Sequence, residues 1–181
     1  MQQPSDEQLV RQLLGGEEHA LAFLYEKYKT PVYLFCFRLL RDEQTAEDVT
    51  HDTFLKIRSG IRTLLNPQSL RAWMFRIARN EVMQTLRRTR RNGHVENDDV
   101  WEEGTPFEQY EQVETRELVQ QALEMLKVEY KEVLMLREFE QLSYAEIAEV
   151  TGATESSVKS RIFKARKALL KKLTPYFGTT K

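Results

Sequence analysis

The 181-residue chain is poor in the residues that cross-link or interrupt a fold. It has one cysteine, Cys36, together with seven glycines and five prolines. A single thiol excludes an internal disulfide and a cysteine-rich zinc site, and the low glycine and proline content excludes a collagen-like or loop-dominated structure. Because Cys36 lies in an apolar run, we expect it to be buried as a small hydrophobic residue.

Long apolar segments are missing as well. The longest run, residues 31–37, is far too short to cross a bilayer, and the polar N-terminus MQQPSDEQ is unlike a signal peptide. With 41% hydrophobic residues, the chain can still build a packed core. We therefore expect a soluble, reduced, cytoplasmic protein without membrane insertion.

The chain has almost no net charge, since 27 basic residues face 28 acidic ones, and this total argues against nucleic-acid binding. However, residues 67–91 and 155–172 each carry seven basic residues and one acidic residue, whereas residues 92–117 carry one basic and nine acidic residues. Salt screens charges beyond about 8 Å, so a ligand at one basic segment responds to that segment rather than to the total. The alternative is that both basic segments are solvated helix faces.

Apolar residues spaced by three and four predict helices along most of the chain and no strand. In the first 91 residues we expect five helices: one capped by Ser5 with Gln8 and ended by Gly15-Gly16, one over residues 17–28, one from Pro31 to about Arg41, one capped by Thr45 with Asp48, and one over residues 68–91. A loop over residues 60–67 precedes the last of them.

Residues 92–112 lack this periodicity and are strongly acidic, which predicts a linker. The expected fold class is therefore all-α, with two small helical domains, residues 1–91 and 113–181, joined by a flexible acidic linker. The linker either mimics nucleic acid on a basic partner surface or only keeps the two basic helices apart. Its aromatic residues, Trp101, Phe107 and Tyr110, suggest anchoring on a partner.

The second domain carries a helix-turn-helix pattern. Ser143 with Glu146 forms a capping box, Gly152 supplies the turn, and Thr154 caps the next helix. In that helix Val158, Ile162, Ala165 and Leu169 form the expected buried stripe, opposite a basic face. The exposed N-terminal residues of such a helix can reach base edges in the major groove, and its Lys and Arg residues can meet phosphates. The alternative is an ordinary helical hairpin with a solvated basic face.

Three segments together resemble the bacterial sigma factors and follow the order found in that family. Residues 46–57, AEDVTHDTFLKI, resemble the segment that binds core RNA polymerase. Residues 69–88, SLRAWMFRIARNEVMQTLRR, resemble the helix that reads and melts the minus-ten promoter element, and residues 142–173 resemble the helix-turn-helix that reads the minus-thirty-five element. Because a central domain is missing, the chain is similar to the extracytoplasmic-function (ECF) group.

This resemblance implies an alternative sigma factor that binds core RNA polymerase and directs promoter-specific initiation, with no catalytic residue, metal or cofactor. The implied partners are the clamp helices of the largest polymerase subunit, the flap of the second-largest subunit, promoter DNA and an anti-sigma factor. The implied polymerase-binding residues are Glu47, Asp48, His51, Asp52 and Phe54. His51 stands where the family usually has Gln; we expect the contact to persist, with pH sensitivity if His51 titrates near neutrality.

The resemblance and the basic segments also indicate two DNA sites. The minus-ten candidates are Ile61, Arg62, Asn66, Arg71, Trp73, Arg76, Arg79, Asn80, Arg87 and Arg88, and the loop over residues 60–67 lies where the family captures a flipped base. The minus-thirty-five candidates are Thr154, Glu155, Ser156, Ser157, Lys159, Ser160, Arg161, Phe163, Lys164, Arg166 and Lys167. Trp73 is in phase with the core stripe, which favours core packing over base stacking.

Two other classes of protein compete with this interpretation. A helix-turn-helix transcriptional regulator that does not replace the polymerase sigma subunit would explain residues 118–173, but neither residues 46–57 nor the first basic segment. An enzyme is disfavoured, because the histidines are scattered and the sequence has neither a metal-ligand spacing nor a glycine-rich phosphate loop.

Overall fold

The computed structural model describes residues 4–91 and 115–177. The helices in these ranges are α1 (Asp6–Leu14), α2 (Glu18–Leu40), α3 (Glu43–Gly60), α4 (Leu70–Arg91), α5 (Thr115–Glu124), α6 (Val128–Leu134), α7 (Tyr144–Thr151) and α8 (Glu155–Phe177). Two 3₁₀ turns, Ile61–Thr63 and Pro67–Ser69, precede α4, and a π-helical turn, Met135–Phe139, follows α6. The described residues contain no strand, which confirms the all-α prediction.

The predicted acidic linker over residues 92–112, with Trp101, Phe107 and Tyr110, lies outside the described residues. The proposed domain boundaries stay a prediction. We call α1–α4 the N-terminal unit and α5–α8 the C-terminal unit.

Local capping signals in the sequence correspond to real helix ends. The Ser5 hydroxyl accepts a hydrogen bond from the Gln8 backbone N–H, and the Gln8 side chain accepts one from the Ser5 backbone N–H at 2.8 Å. Helix α1 ends at Gly15, as predicted. Both hydrogen bonds satisfy donors that a helix N-terminus otherwise leaves unpaired.

Two predicted helix starts are wrong. Helix α2 continues through Pro31 instead of beginning again there, because Tyr28, Val32 and Phe35 on both sides of the proline are buried in one core. This packing outweighs the cost of a proline inside a helix, about 3 kcal/mol. Helix α3 is capped by Asp42 rather than Thr45, since the Asp42 carboxylate accepts a hydrogen bond from the Thr45 backbone N–H at 2.8 Å.

The helix-turn-helix geometry is confirmed. Ser143 and Glu146 form the capping box of α7, and Gly152 ends that helix with a φ of +66°, a conformation that residues with a Cβ rarely adopt. Val158, Ile162 and Ala165 are buried, as their spacing predicts, whereas Leu169, the fourth residue of the predicted stripe, is only half-buried. Helix α8 runs to Phe177, a few residues beyond Leu173, near which the sequence predicts its end.

Replacing Ser143 with Ala is expected to lower the free energy of unfolding by about 1 kcal/mol, because the capping box of α7 is lost. For a chain of this size, that change lowers the thermal midpoint by about 2–4 °C. Thermal unfolding followed by circular dichroism measures the shift. Ser160→Ala removes an exposed hydroxyl inside α8 and is the control; an equal shift in both variants would contradict a capping role.

The core joins both units. Within the N-terminal unit α2 packs against α3 and α4, and within the C-terminal unit α8 packs against α6 and α7. Between the units, α4 packs against α7 and α2 packs against α6. Phe35 of α2 meets Phe75 of α4 edge to face, with ring centroids 5.4 Å apart. The described part of the chain contains no helix with the length and hydropathy that crossing a bilayer requires.

Candidate nucleic-acid and partner interfaces

The outer face of α3 is acidic. Glu47, Asp48, His51 and Asp52 are all exposed, because positions one turn apart lie on the same side of a helix. Phe54, the fifth predicted polymerase-binding residue, is 7% exposed and packs edge to face on Tyr25 at 4.8 Å. Phe54 therefore supports this face from below rather than forming part of it.

An apolar groove of about 570 Å³ lies beside the acidic face, between α2 and α3. Leu21, Tyr25, Leu55 and His51 line it, and the side chains of Tyr25 and Leu55 are 41% and 50% exposed. We did not predict this groove. In the sequence, Tyr25 and Leu55 look like ordinary apolar positions of amphipathic helices. Only the packing of α2 against α3 shows that these two side chains remain exposed to solvent.

The predicted minus-ten loop forms a second, smaller groove of about 260 Å³, lined by Leu65, Asn66, Trp73 and Arg76 among others. Leu65 is 98% exposed, whereas Ile61 is buried beneath the loop. The Asn66 side chain caps the second 3₁₀ turn by accepting a hydrogen bond from the Gln68 backbone N–H. Trp73 is 6% exposed, which agrees with core packing rather than base stacking.

That tryptophan also packs near the end of α3. A Cβ added at Gly60 would lie 3.4 Å from the Trp73 ring, which is ordinary van der Waals contact. Arg62 of the loop is exposed.

The predicted basic track on α4 is divided between two environments. Arg76, Asn80, Arg87 and Arg88 are exposed. Arg71 and Arg79 face the C-terminal unit instead: Arg71 donates a hydrogen bond to Glu140 at 2.8 Å, and Arg79 forms an ion pair with Glu132.

Both carboxylate partners are almost completely buried. Burial raises the pKa of the Glu132 carboxyl above its usual value, while the positive charges of Arg79 and Arg161 partly oppose the shift. The sequence did not reveal either glutamate as a buried residue. In an amphipathic helix, an acidic residue is usually exposed to solvent, and nothing local marks these two as exceptions.

The outer face of α8 is open to solvent. The predicted residues on it are exposed, except for Ser157 and Arg161, which are half-buried; the exposed set is Thr154, Glu155, Ser156, Lys159, Ser160, Phe163, Lys164, Arg166 and Lys167. Lys159 forms an ion pair with Glu155 at 2.8 Å and lies 5.6 Å from the centre of the Tyr144 ring. Phe163 is 70% exposed, an unusual position for a phenyl ring on a basic surface.

Cys36 is buried, as predicted, and burial raises the pKa of its thiol to about 12 despite a hydrogen bond with Thr50 that lowers it. The thiol of the unfolded chain ionises near pH 9, whereas the folded thiol stays neutral. The contribution of the buried Cys36 thiol to the free energy of unfolding is therefore expected to be fully present below pH 9. Above pH 9 the free energy of unfolding should fall by about 1 kcal/mol per pH unit. Chemical denaturation between pH 8 and 10 measures the slope, and Cys36→Ala should flatten it. An unchanged slope in that variant would contradict the assignment.

Comparison with known proteins places these surfaces in a family. Residues 24–92 match the family profile Sigma-70 region 2, and residues 116–169 match Sigma-70, region 4. The chain is 34% identical over 158 residues to RNA polymerase sigma factor YlaC of Bacillus subtilis. The alignment covers 83% of this chain and 90% of YlaC. It is 26% identical over 176 residues to ECF RNA polymerase sigma factor SigW of the same organism. That alignment covers 91% of this chain and 94% of SigW.

Among solved structures, the chain is similar to the sigma factor RpoE from Bartonella quintana, determined in complex with the anti-sigma factor NepR. The TM-score is 0.66 and the identity is 26%, over 83% of this chain and 94% of that one. The helical fold and the matches to both sigma-70 regions thus define the class of RNA polymerase sigma factors. The chain belongs to the ECF group of the sigma-70 family of RNA polymerase sigma factors.

Proposed function

We propose that this sigma factor binds core RNA polymerase through the acidic face of α3 and places promoter DNA on α4 and α8. The observation that carries the proposal is the separation of the three surfaces: Glu47, Asp48, His51 and Asp52 lie on α3, whereas the exposed cations that we assign to DNA lie on α4 and α8. Acidic residues suit a protein partner with a basic surface, and they repel DNA phosphates. One chain can therefore hold the polymerase and DNA at the same time.

At the polymerase we assign the acidic face of α3 to the clamp helices of the largest subunit and the C-terminal unit to the flap of the second-largest subunit. The chain is a non-catalytic initiation factor in this proposal, and it acts in the cytoplasm, where polymerase and chromosome are found. His51 takes the position of the usual Gln, and its neutral imidazole, like that amide, can both donate and accept a hydrogen bond.

On DNA we assign the exposed minus-ten residues to two tasks. Arg76, Arg87 and Arg88 contact phosphates, since the planar guanidinium matches the phosphate geometry. The groove formed by Leu65, Asn66 and Trp73 receives an unstacked base, whose extrusion costs a few kcal/mol that contacts in a shaped pocket must offset. We assign Asn80, which is exposed on the same helix, to a hydrogen bond with a base edge.

We further propose an anti-sigma factor as a partner and the groove between α2 and α3 as its docking site. The related RpoE was solved in complex with an anti-sigma factor. The groove has apolar walls and an acidic rim of Glu17, Glu18 and Glu26, which fits an amphipathic segment with basic flanks. Such a partner would cover part of the surface assigned to the polymerase.

Run-off transcription tests the proposed function. Core polymerase is incubated with and without the full chain on a promoter library, and transcripts are sequenced. We expect transcripts from a subset of promoters only when the chain is present. The proposal would be contradicted if the chain did not stimulate transcription from any promoter. It would also be contradicted if the chain alone, without polymerase, gave a DNase footprint at promoters.

A further inference from the structure

Helix α1 packs against the minus-ten loop, although it precedes the segment that matches Sigma-70 region 2. That match begins at residue 24, whereas α1 spans Asp6–Leu14. The helix contacts both 3₁₀ turns of the loop, Ile61–Thr63 and Pro67–Ser69, and it also contacts α4. Leu9 and Val10 of α1 are completely buried, so the helix is part of the core. The loop that carries the proposed base-binding groove therefore packs on a helix to which no role has been assigned so far.

A side-chain hydrogen bond joins α1 to the second 3₁₀ turn. The Gln68 side-chain amide donates to the Glu7 carboxylate, with 3.2 Å between Nε2 and Oε1. The backbone N–H of Gln68 donates to the side chain of Asn66 at 3.0 Å, and Asn66 lines the groove. Gln68 thus connects a wall of the groove, through its backbone and its side chain, to Glu7 of α1.

The residue before Glu7 fixes α1 to α2. The Asp6 carboxylate accepts hydrogen bonds from Lys27 Nζ at 2.7 Å and from Tyr28 Oη at 2.6 Å. Tyr28 is buried, and its burial and the hydrogen bond to Asp6 raise the pKa of its phenol, so the hydroxyl keeps its proton and continues to donate. Short hydrogen bonds to a charged acceptor are among the stronger ones in proteins. Helix α1 is therefore held on the core of the N-terminal unit at the end that also carries Glu7.

The hydrogen bonds inside the loop are local. The Leu64 N–H donates to the Ile61 carbonyl at 3.1 Å, and the Ser69 N–H donates to the Asn66 carbonyl at 2.9 Å. Each of these bonds closes a single turn, so it shapes that turn without fixing the two turns relative to each other. A site that distinguishes similar ligands must hold its walls to within about 0.5 Å, which requires support from rigid neighbouring elements. The packing of α1 against both turns provides such support.

We propose that α1 is a positioning element for the minus-ten loop: Asp6 anchors the helix to α2, and Glu7 holds Gln68, so that the groove keeps the shape that selects one base. This inference rests on the proposed function of the loop. Asp6 and Glu7 act on the base through Gln68 and Asn66 rather than by touching it. Helix α1 therefore affects the choice of base, whereas phosphate contacts, which carry no sequence information, come from α4.

Base discrimination by the holoenzyme tests the role of Asp6. The probes are forked duplexes based on a promoter that is active in run-off transcription, with each minus-ten and each minus-thirty-five base pair varied in turn. Asp6→Ala should reduce the preference for the best base at a minus-ten position about fivefold and leave the minus-thirty-five preferences unchanged. The control is Lys29→Ala, which breaks an exposed lysine–carboxylate pair of α2, with Glu26 at 2.9 Å, and should change neither set of preferences.

The hydrogen bond between Glu7 and Gln68 gives a second set of variants that keep the fold, since both side chains are exposed. Glu7→Ala should reduce the same minus-ten preference about twofold, and Gln68→Ala should have an equal effect. The double variant should lose no more than either single one, because both changes remove one interaction. Glu7→Gln should keep the preference of the unmodified chain, because its amide oxygen can still accept the hydrogen bond from Gln68.

The minus-thirty-five preferences separate positioning from a general loss of structure. A damaged fold lowers the active fraction on every sequence and leaves the ranking of bases unchanged, whereas a displaced loop alters the ranking at the minus-ten element only. Unchanged minus-ten preferences in Asp6→Ala and Glu7→Ala, equal losses at both promoter elements, or a Glu7→Gln variant that behaves like Glu7→Ala would each overturn the proposal.

The same measurements distinguish this inference from the proposed function. If the proposed function is wrong, the unmodified chain supports no promoter-dependent transcription. If only this inference is wrong, the unmodified chain transcribes normally and the α1 variants retain its minus-ten preferences.

Discussion

Asp48→Arg together with Asp52→Arg is expected to abolish promoter-dependent transcription by reducing the affinity for core polymerase at least about a hundredfold. Truncating or reversing a charge that is paired across an interface typically costs about 2–5 kcal/mol, and here two are reversed on one helix face. Both residues are exposed and contribute no buried contact, so the fold should tolerate the change to within about 0.5 kcal/mol.

Titration of a fluorescently labelled chain with core polymerase at two salt concentrations measures the affinity and its dependence on salt, which reports the electrostatic contribution to binding. The control is E7R/E18R, which adds the same charge at exposed positions of α1 and α2, outside the surfaces assigned to polymerase. The control should keep near-normal affinity. An equal loss in both double variants would mean that net charge matters rather than the α3 face, and unchanged affinity of the α3 variant would refute the assignment of this face to polymerase.

The parts of the fold that depend on neighbouring residues could be predicted from the sequence. The capping box of α7, the turn at Gly152 and the buried stripe of Val158, Ile162 and Ala165 each require residues only a few positions apart. The exposure of Lys159 on the opposite face follows from the same helical period. These local rules agree with each other in the helix-turn-helix, which is why its cap, its turn and three of the four predicted buried positions are confirmed, whereas Leu169 is only half-buried.

Predictions failed where long-range packing decides the local structure. Pro31 is a strong signal for a helix start, but α2 passes through it because the stripe on both sides is buried by α3 and α4. Thr45 has the chemistry of a cap, yet Asp42, three residues earlier, forms the hydrogen bond. Local sequence does not distinguish Asp42 from Thr45 as the capping residue, whereas the packing of the core fixes where the helix begins.

The candidate site was predictable in its residue types but not in its connections. The arginines of α4 were identified from charge, but nothing in the sequence pairs Arg71 with Glu140 or Arg79 with Glu132, which are 69 and 53 positions away. The groove between α2 and α3 was also missed, since it exists only where two helices meet. Function that depends on a contact between distant segments therefore needs the fold before it can be argued.

Lys159→Ala is expected to relax the preference for the minus-thirty-five sequence, whereas Lys164→Ala weakens binding to all sequences. Lys159 lies in the second turn of α8, held by Glu155 at 2.8 Å and by the nearby Tyr144 ring, so its ammonium group is ordered for contact with a base edge. Losing such a contact costs about 1–3 kcal/mol of discrimination at one or two base pairs. Lys164, exposed five residues further along α8, is assigned to a phosphate.

Holoenzymes with saturating sigma factor are tested on a promoter set in which each minus-thirty-five base pair is varied, at several salt concentrations. Lys164→Ala should reduce the slope of log affinity against log salt by about one, and Lys159→Ala should change mainly the ranking of sequences. The control is Lys29→Ala, which removes an exposed lysine of α2 that also pairs with a carboxylate, Glu26, at 2.9 Å. A uniform loss in Lys159→Ala would refute base reading, because a phosphate contact carries no sequence information.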